Sequence, residues 1–193
     1  MKNLQNKIIT VFYELVAEKG YDKASMNDIV KKAGISKGAI YHHFKNKEEL
    51  FCKVIEVVFL QNDSEEIFDL NQITKENARD VLYGFVEMIF KSSKKDKFIT
   101  KFQNEFIVQA LRNEKLKGNF LKIMDKYLEQ IKGLLVYFKE NNIIDSKKNI
   151  EVLGQKFFML LDAMLLYKAY GIDFKYEEII GSMIDEILGK ENK

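Results

Sequence analysis

Residues 36–47 hold the side chains best suited to chemistry. Ser36, Lys37, Tyr41, His42, His43 and Lys47 bring hydroxyls, imidazoles and ammonium groups into twelve residues, with Gly38 and Ala39 among them. These groups donate or accept hydrogen bonds at base edges and phosphate oxygens. None makes a catalytic set, because no nucleophile is paired with a base and no glycine loop could cradle a phosphate. His42 and His43 are adjacent, so on a helix they point about 100° apart. No Cys or carboxylate is spaced to complete a metal site with them. Taken singly, the histidines read as surface residues, Tyr41 as a core aromatic and Lys45 and Lys47 as solvated charges; only their common spacing argues otherwise.

Those side chains need a scaffold, and the flanking residues supply one. Ile40 and Phe44 are four apart and, with Ile35, form an inward face. Lys37, Gly38, Tyr41 and His42 then fall on the outward face of a helix over Lys37–Phe44. Ser36 is placed to cap it. Before it, Ser25 and Asp28 make a capping-box arrangement for a helix over Met26–Ala33, which Gly34 ends. Leu4, Ile8, Val11, Phe12, Leu15 and Val16 mark an earlier helix over 3–19, closed by Gly20. Asn46 and Glu49 start a fourth helix at Lys47, expected to run out of the small N-terminal unit into a larger one. Two short helices joined by a glycine-containing turn form a helix-turn-helix, whose second helix enters a DNA major groove. Unpaired N–H groups at the two helix starts, beside Ser25 and Ser36, suit phosphates.

Composition agrees with an all-α protein. The 193 residues include no proline, 47% are hydrophobic and 31% are charged, so long helices go uninterrupted and a sizeable core can form. Residues 1–50 carry nine lysines against six carboxylates, about +3, while the whole chain has a formal charge of +2. Cys52 is the only cysteine, which rules out an internal disulfide and suits a reducing cytoplasm. It reads as a small buried hydrophobe. Lys2 and Lys7 precede an apolar run, but Glu14 and Glu18 break it, against an export signal. No stretch approaches the ~18 apolar residues of a membrane span. Further helices are expected near 75–94, 98–112, 115–140, 147–170 and 176–188.

The run from Gly34 to Leu50, with Ala24–Val30 and the Leu15 to Gly20 helix end, resembles the TetR family of regulators over roughly residues 3–55. The resemblance implies an N-terminal three-helix DNA-binding unit over 1–47 and a C-terminal helical ligand-binding and dimerisation domain over 48–193. It implies that Lys37, Gly38 and Tyr41 face bases, while Ser25, Ala39, His42, His43 and Lys47 lie at the phosphate backbone. Ala39 replaces the family's commoner Thr or Ser, leaving only its backbone N–H to contribute. No arginine occurs in residues 1–78, so Lys37 is the strong guanine reader, and thymine methyls or groove shape should weigh more.

The family also implies a homodimer through the last two helices. Residues 157–167 are apolar nearly all round, and Ile179, Ile180, Met183, Ile184, Ile187 and Leu188 form a broad stripe. Two-fold symmetry would set the recognition helices about 34 Å apart on a palindromic operator in double-stranded DNA. An apolar or amphipathic small-molecule effector is the default expectation, with Phe85, Met88, Phe102, Phe106, Tyr127, Leu128 and Phe158 as candidate lining or, on the plainer reading, ordinary core. Glu105 and Asp162 lie in apolar runs and would suit a cationic ligand, or else solvent or an interface. No cofactor, metal, enzymatic activity or membrane association is expected. The expected function is a repressor released by its effector. The alternative is a helix-turn-helix regulator without a ligand, of division-linked or nucleoid-associated type. A helical interaction bundle stands further off.

Overall fold

The computed structural model describes residues 2–60 and 68–189, and every regular element among them is helical. In chain order these are α1 (Lys2–Lys19), α2 (Met26–Ala33), α3 (Lys37–His43), α4 (Lys47–Ile55), α5 (Ala78–Lys95), α6 (Ile99–Ala110), α7 (Glu114–Glu140), α8 (Ile150–Ala169) and α9 (Tyr176–Leu188). A π-helical turn, Glu56–Leu60, continues α4, and a 3₁₀ turn occupies Leu70–Gln72. The expected exit of the fourth helix into the larger unit falls on 61–67, outside the described residues.

Helix ends follow local chemistry. α5 starts at residue 78, later than the expected 75, because Asn77 accepts from Thr74 N–H at 2.8 Å and donates to Gln72 O at 2.8 Å, holding a turn there. α8 starts at Ile150, not 147. Asp145 accepts from the Lys147 N–H at 2.8 Å, and Asn149 then caps the helix through Val152 N–H at 3.2 Å. α3 stops one residue early because Phe44 turns extended and drops its ring into the core.

The chain divides into two compact units. The first comprises Met1–Glu65 with Asp96–Ile123, and α1 lies against α2, α4 and α6 within it. Ile8 and Phe12 of α1, Ile29 of α2, Ile40 of α3 and Leu50, Phe51, Val54 and Ile55 of α4 are fully buried. The Phe51 ring lies 6.3 Å from Phe12, 5.4 Å from Phe102 and 6.2 Å from Phe106. At the same side, Tyr13 Oη donates to Asp96 Oδ2 at 2.5 Å. Burial and the Asp96 carboxylate push the Tyr13 phenol far above its ordinary range.

This compact unit does not end at residue 47. Three helices alone would leave Phe12 without the Phe51 ring of α4, which in turn meets Phe102 and Phe106 of α6. The second unit comprises Glu66–Lys95 with Met124–Lys193. Its core joins Leu82 and Val86 of α5, Leu134, Leu135 and Phe138 of α7, Leu153, Phe157, Leu161 and Met164 of α8, and Ile184 and Ile187 of α9. Arg79 pairs with Asp185, tying α5 to α9.

Candidate nucleic-acid interface

The Ser25 cap is closed on both sides. Ser25 Oγ accepts from Asp28 N–H at 3.2 Å, and Ser25 N–H donates to Asp28 Oδ2 at 3.0 Å. The Ser25 hydroxyl also donates to Asp28 Oδ2 at 2.5 Å. Lys19 closes on the same carboxylate at 2.8 Å. Lys19 first, then the Ser25 hydrogen bonds, hold the Asp28 carboxyl well below the usual range. The Ser25 hydroxyl proton is therefore committed inside the protein, and a phosphate would have to draw it away. The N–H groups of Met26 and Asn27, next in the helix, have no protein partner among the described residues.

At the far end of α2, Gly34 takes a left-handed conformation (φ 64°), and Ile35 N–H returns to Val30 O at 3.2 Å. That turn sets α3 across α2. Ser36 then caps α3, accepting from Ala39 N–H at 3.1 Å. The Ala39 N–H, expected from the sequence to be free for phosphate, is thus spent on its own helix. The open donors are instead the N–H groups of Lys37 and Gly38, which have no partner among the described residues.

On α3, Ile40 is fully buried, and Phe44 beyond its end nearly so. Ser36, Lys37, Gly38, Tyr41 and His42 are exposed, while Ala39 and His43 are half-buried. Tyr41 keeps 53% of its surface in solvent, which removes the core reading of that ring. Gly38 has no packing role, since a Cβ there would meet only Ser36 Oγ at 3.9 Å. Lys37 and Lys45 make no ion pair among the described residues, whereas Lys32 is neutralised by Glu14 at 3.0 Å and Glu18 at 3.3 Å. Lys45 therefore joins the outward cations, although a lone charge in sequence carries no such signal.

Lys47 has a second task. Its ammonium donates to Tyr21 O at 3.0 Å and Asp22 O at 3.4 Å, and sits 4.1 Å above the Tyr21 ring. It pins the turn after α1 to the start of α4. Burial first, then the Glu48 carboxylate, pushes the Tyr21 phenol up to about 12. Asn46 caps α4 through Glu49 N–H at 2.8 Å, and Glu49 accepts from Lys45 N–H at 2.8 Å. His42 and His43 lie with ring centroids 5.4 Å apart. No group of three metal-ligating side chains occurs among the described residues.

The residues expected to line an effector site divide between the two units. Phe102 and Phe106 are buried in the aromatic core of the first unit, where their faces meet Phe51 and Phe59. Glu105 belongs there too, accepting from Gln109 at 3.2 Å. Phe85, Met88, Tyr127, Leu128 and Phe158 belong to the second unit. Phe85 and Met88 share a cleft of about 360 Å³ with Phe68, Ile73, Val81 and Gly84. Tyr127, Leu128, Phe158 and Asp162 are half-buried on α7 and α8.

An exposed, cation-bearing second helix set by a glycine turn on a first helix anchored through Ile29 and Ala33 has the build of a DNA-binding helix-turn-helix. Residues 8–54 match the model of bacterial regulatory proteins of the tetR family. The chain thus carries the DNA-binding segment of that family, and it is similar to transcriptional regulators over most of its length. It is 29% identical over 144 residues to the HTH-type transcriptional regulator QacR of Staphylococcus aureus, covering 73% of this chain and 72% of that one. It is 25% identical over 189 residues to IcaR, the HTH-type negative transcriptional regulator of the biofilm operon icaADBC in Staphylococcus aureus, covering 95% of each. Its fold matches the regulator FadR of Bacillus subtilis, solved with stearoyl-CoA, with a TM-score of 0.74 at 21% identity over 97% of this chain and 99% of that one.

Proposed function

We propose that the chain is a homodimeric repressor that grips a palindromic operator through α3 and is released by a small-molecule effector. The exposed row Lys37, Gly38 and Tyr41, whose side chains have no partner among the described residues, carries this reading. Lys37 and Tyr41 reach base edges, and Gly38 lets the backbone come close. Ser36, His42, His43 and Lys47 serve the phosphates, with Ser25 and Ala39 adding shape and Met26, Asn27, Lys37 and Gly38 adding backbone donors. Functionally, residues 1–47 read DNA, and 48–193 carry dimerisation and effector response. The name of IcaR as a negative regulator supports repression, and the stearoyl-CoA bound by FadR supports a ligand.

Dimerisation through the last two helices is supported on the α8 side by the solvent-facing row Val152, Met159, Tyr167 and Tyr170, an apolar row that a partner would cover. Within the second unit, Phe85 and Met88 are the best-placed effector contacts, with Tyr127, Leu128 and Phe158 as the remaining candidates. An effector releases DNA only by binding the non-DNA-binding arrangement more tightly. No helix among the described residues is long and apolar enough to cross a membrane, and a DNA-binding role fits the cytoplasm. The test is transcription in vitro from a promoter carrying a selected operator. Repression that an added ligand relieves is expected; activation, or no dependence on the protein, would overturn the reading.

A further inference from the structure

Lys45 stands in the bridge between α3 and α4, and both of its neighbours are fixed. Phe44 before it is extended (φ −140°) with its ring in the core. Asn46 after it is extended (φ −156°) and caps α4. The Lys45 backbone is itself held, because its N–H donates to Glu49 Oε2 at 2.8 Å. Its side chain is exposed and makes no ion pair among the described residues. A free ammonium is thus mounted on a fixed point just beyond the C-terminal end of the helix that faces DNA.

That end needs a cation if it is to approach a phosphate. A helix C-terminus carries partial negative charge. The start of the next helix gives no relief, since Glu48 and Glu49 set two carboxylates in the first turn of α4. Lys47 is turned inward, with its ammonium on Tyr21 O at 3.0 Å and Asp22 O at 3.4 Å and one N–H left over. Lys19 and Lys32 are likewise taken up, by Asp28 and by Glu14. An imidazole is not a permanent charge near neutral pH, so His42 and His43 do not replace it. Between His43 and the first turn of α4, Lys45 is the cation whose whole charge faces solvent. Distance is no obstacle. The seven residues of α3 span about 10 Å, against a major groove ~12 Å wide. A helix so short has its ends near the groove walls, and the flexible stem of a lysine closes the remaining gap.

We propose that Lys45 is a phosphate anchor at the C-terminal end of α3, a point-charge contact to the DNA backbone that adds affinity and salt dependence and reads no base. Such a contact fixes how the helix sits in the groove and carries no sequence information directly. The proposal rests on the DNA-binding reading above and deepens it.

The test is a fluorescence-anisotropy titration of the full-length protein on a labelled duplex carrying the inverted repeat that wild type selects from random sequence, repeated from low to high salt. Each phosphate contact contributes ~0.9 to the slope of log affinity against log salt, and a two-fold dimer has two copies of Lys45. Lys45→Gln should therefore flatten the slope by about 2 and weaken binding about tenfold or more at physiological salt. Lys45→Arg should keep the wild-type slope. Lys45→Gln should also select the same repeat as wild type. Lys139→Gln, on α7 in the second unit, removes the same charge and should leave the slope unchanged. A wild-type slope in Lys45→Gln, an equal loss of slope in Lys139→Gln, or a changed repeat overturns the proposal alone. Failure of wild type to select any repeat overturns the DNA reading and this proposal with it, so the two failures are told apart.

Discussion

Gly38→Ala separates a residue kept for the fold from one kept for a partner. The added Cβ finds only Ser36 Oγ, at 3.9 Å, an ordinary van der Waals distance. Alanine is favoured over glycine in a helix by up to about 1 kcal/mol, less in a first turn. The variant should therefore unfold at the same denaturant midpoint as wild type or a slightly higher one. On DNA the same methyl group lies between the open N–H groups of Lys37 and Gly38 and the groove they face. Loss of that approach should cost at least about 1.4 kcal/mol, or tenfold in affinity. Chemical denaturation and a fluorescence-anisotropy titration on one operator check both halves. Gly34→Ala is the control: with φ at 64° it should lose about 1–2 kcal/mol of stability. Wild-type affinity in Gly38→Ala, or a loss of affinity matched by a loss of stability, would refute the reasoning.

Further outcomes follow from the same geometry. Phe102→Ala should destabilise the protein by about 3–5 kcal/mol, because its ring is fully buried in the first unit; a folded variant altered only in ligand response would return Phe102 to an effector site. Met159→Arg, at a side chain 68% exposed on α8, should leave protomer stability within about 0.5 kcal/mol but raise the dimer dissociation constant more than tenfold in sedimentation. The Asp28 carboxyl, lowered by Lys19 and Ser25, binds protons more weakly folded than unfolded. Its contribution to stability is present above about pH 4 and lost as pH falls below that toward its folded value. Asp28→Asn should flatten that part of the acid-unfolding curve; an unchanged acid limb would count against the lysine–serine cap.

Much of the DNA-reading unit was legible because its signals are local. Ser25 with Asp28, Gly34, Ser36 and Asn46 each act within four residues of themselves, and each has the predicted cap or turn role in the structure. The apolar period of 98–112 likewise placed α6. Period reports that a face is buried, however, and not which core receives it, so sequence alone leaves Phe102 and Phe106 open between effector lining and ordinary core. The second task of Lys47 is invisible locally, since its bond to the Tyr21 carbonyl joins residues 26 apart in sequence. The free Ala39 N–H failed for a more local reason: a serine at the cap claims it.

The most direct test of the central claim is selection from random DNA duplexes at two salt concentrations, with wild type and Tyr41→Ala side by side. Tyr41 is exposed, so the variant should fold as wild type does. The account predicts an inverted repeat enriched by wild type, bound less tightly at high salt as phosphate contacts are screened, and not enriched by the variant. The same enrichment by both proteins, or by neither, would mean that α3 does not read DNA.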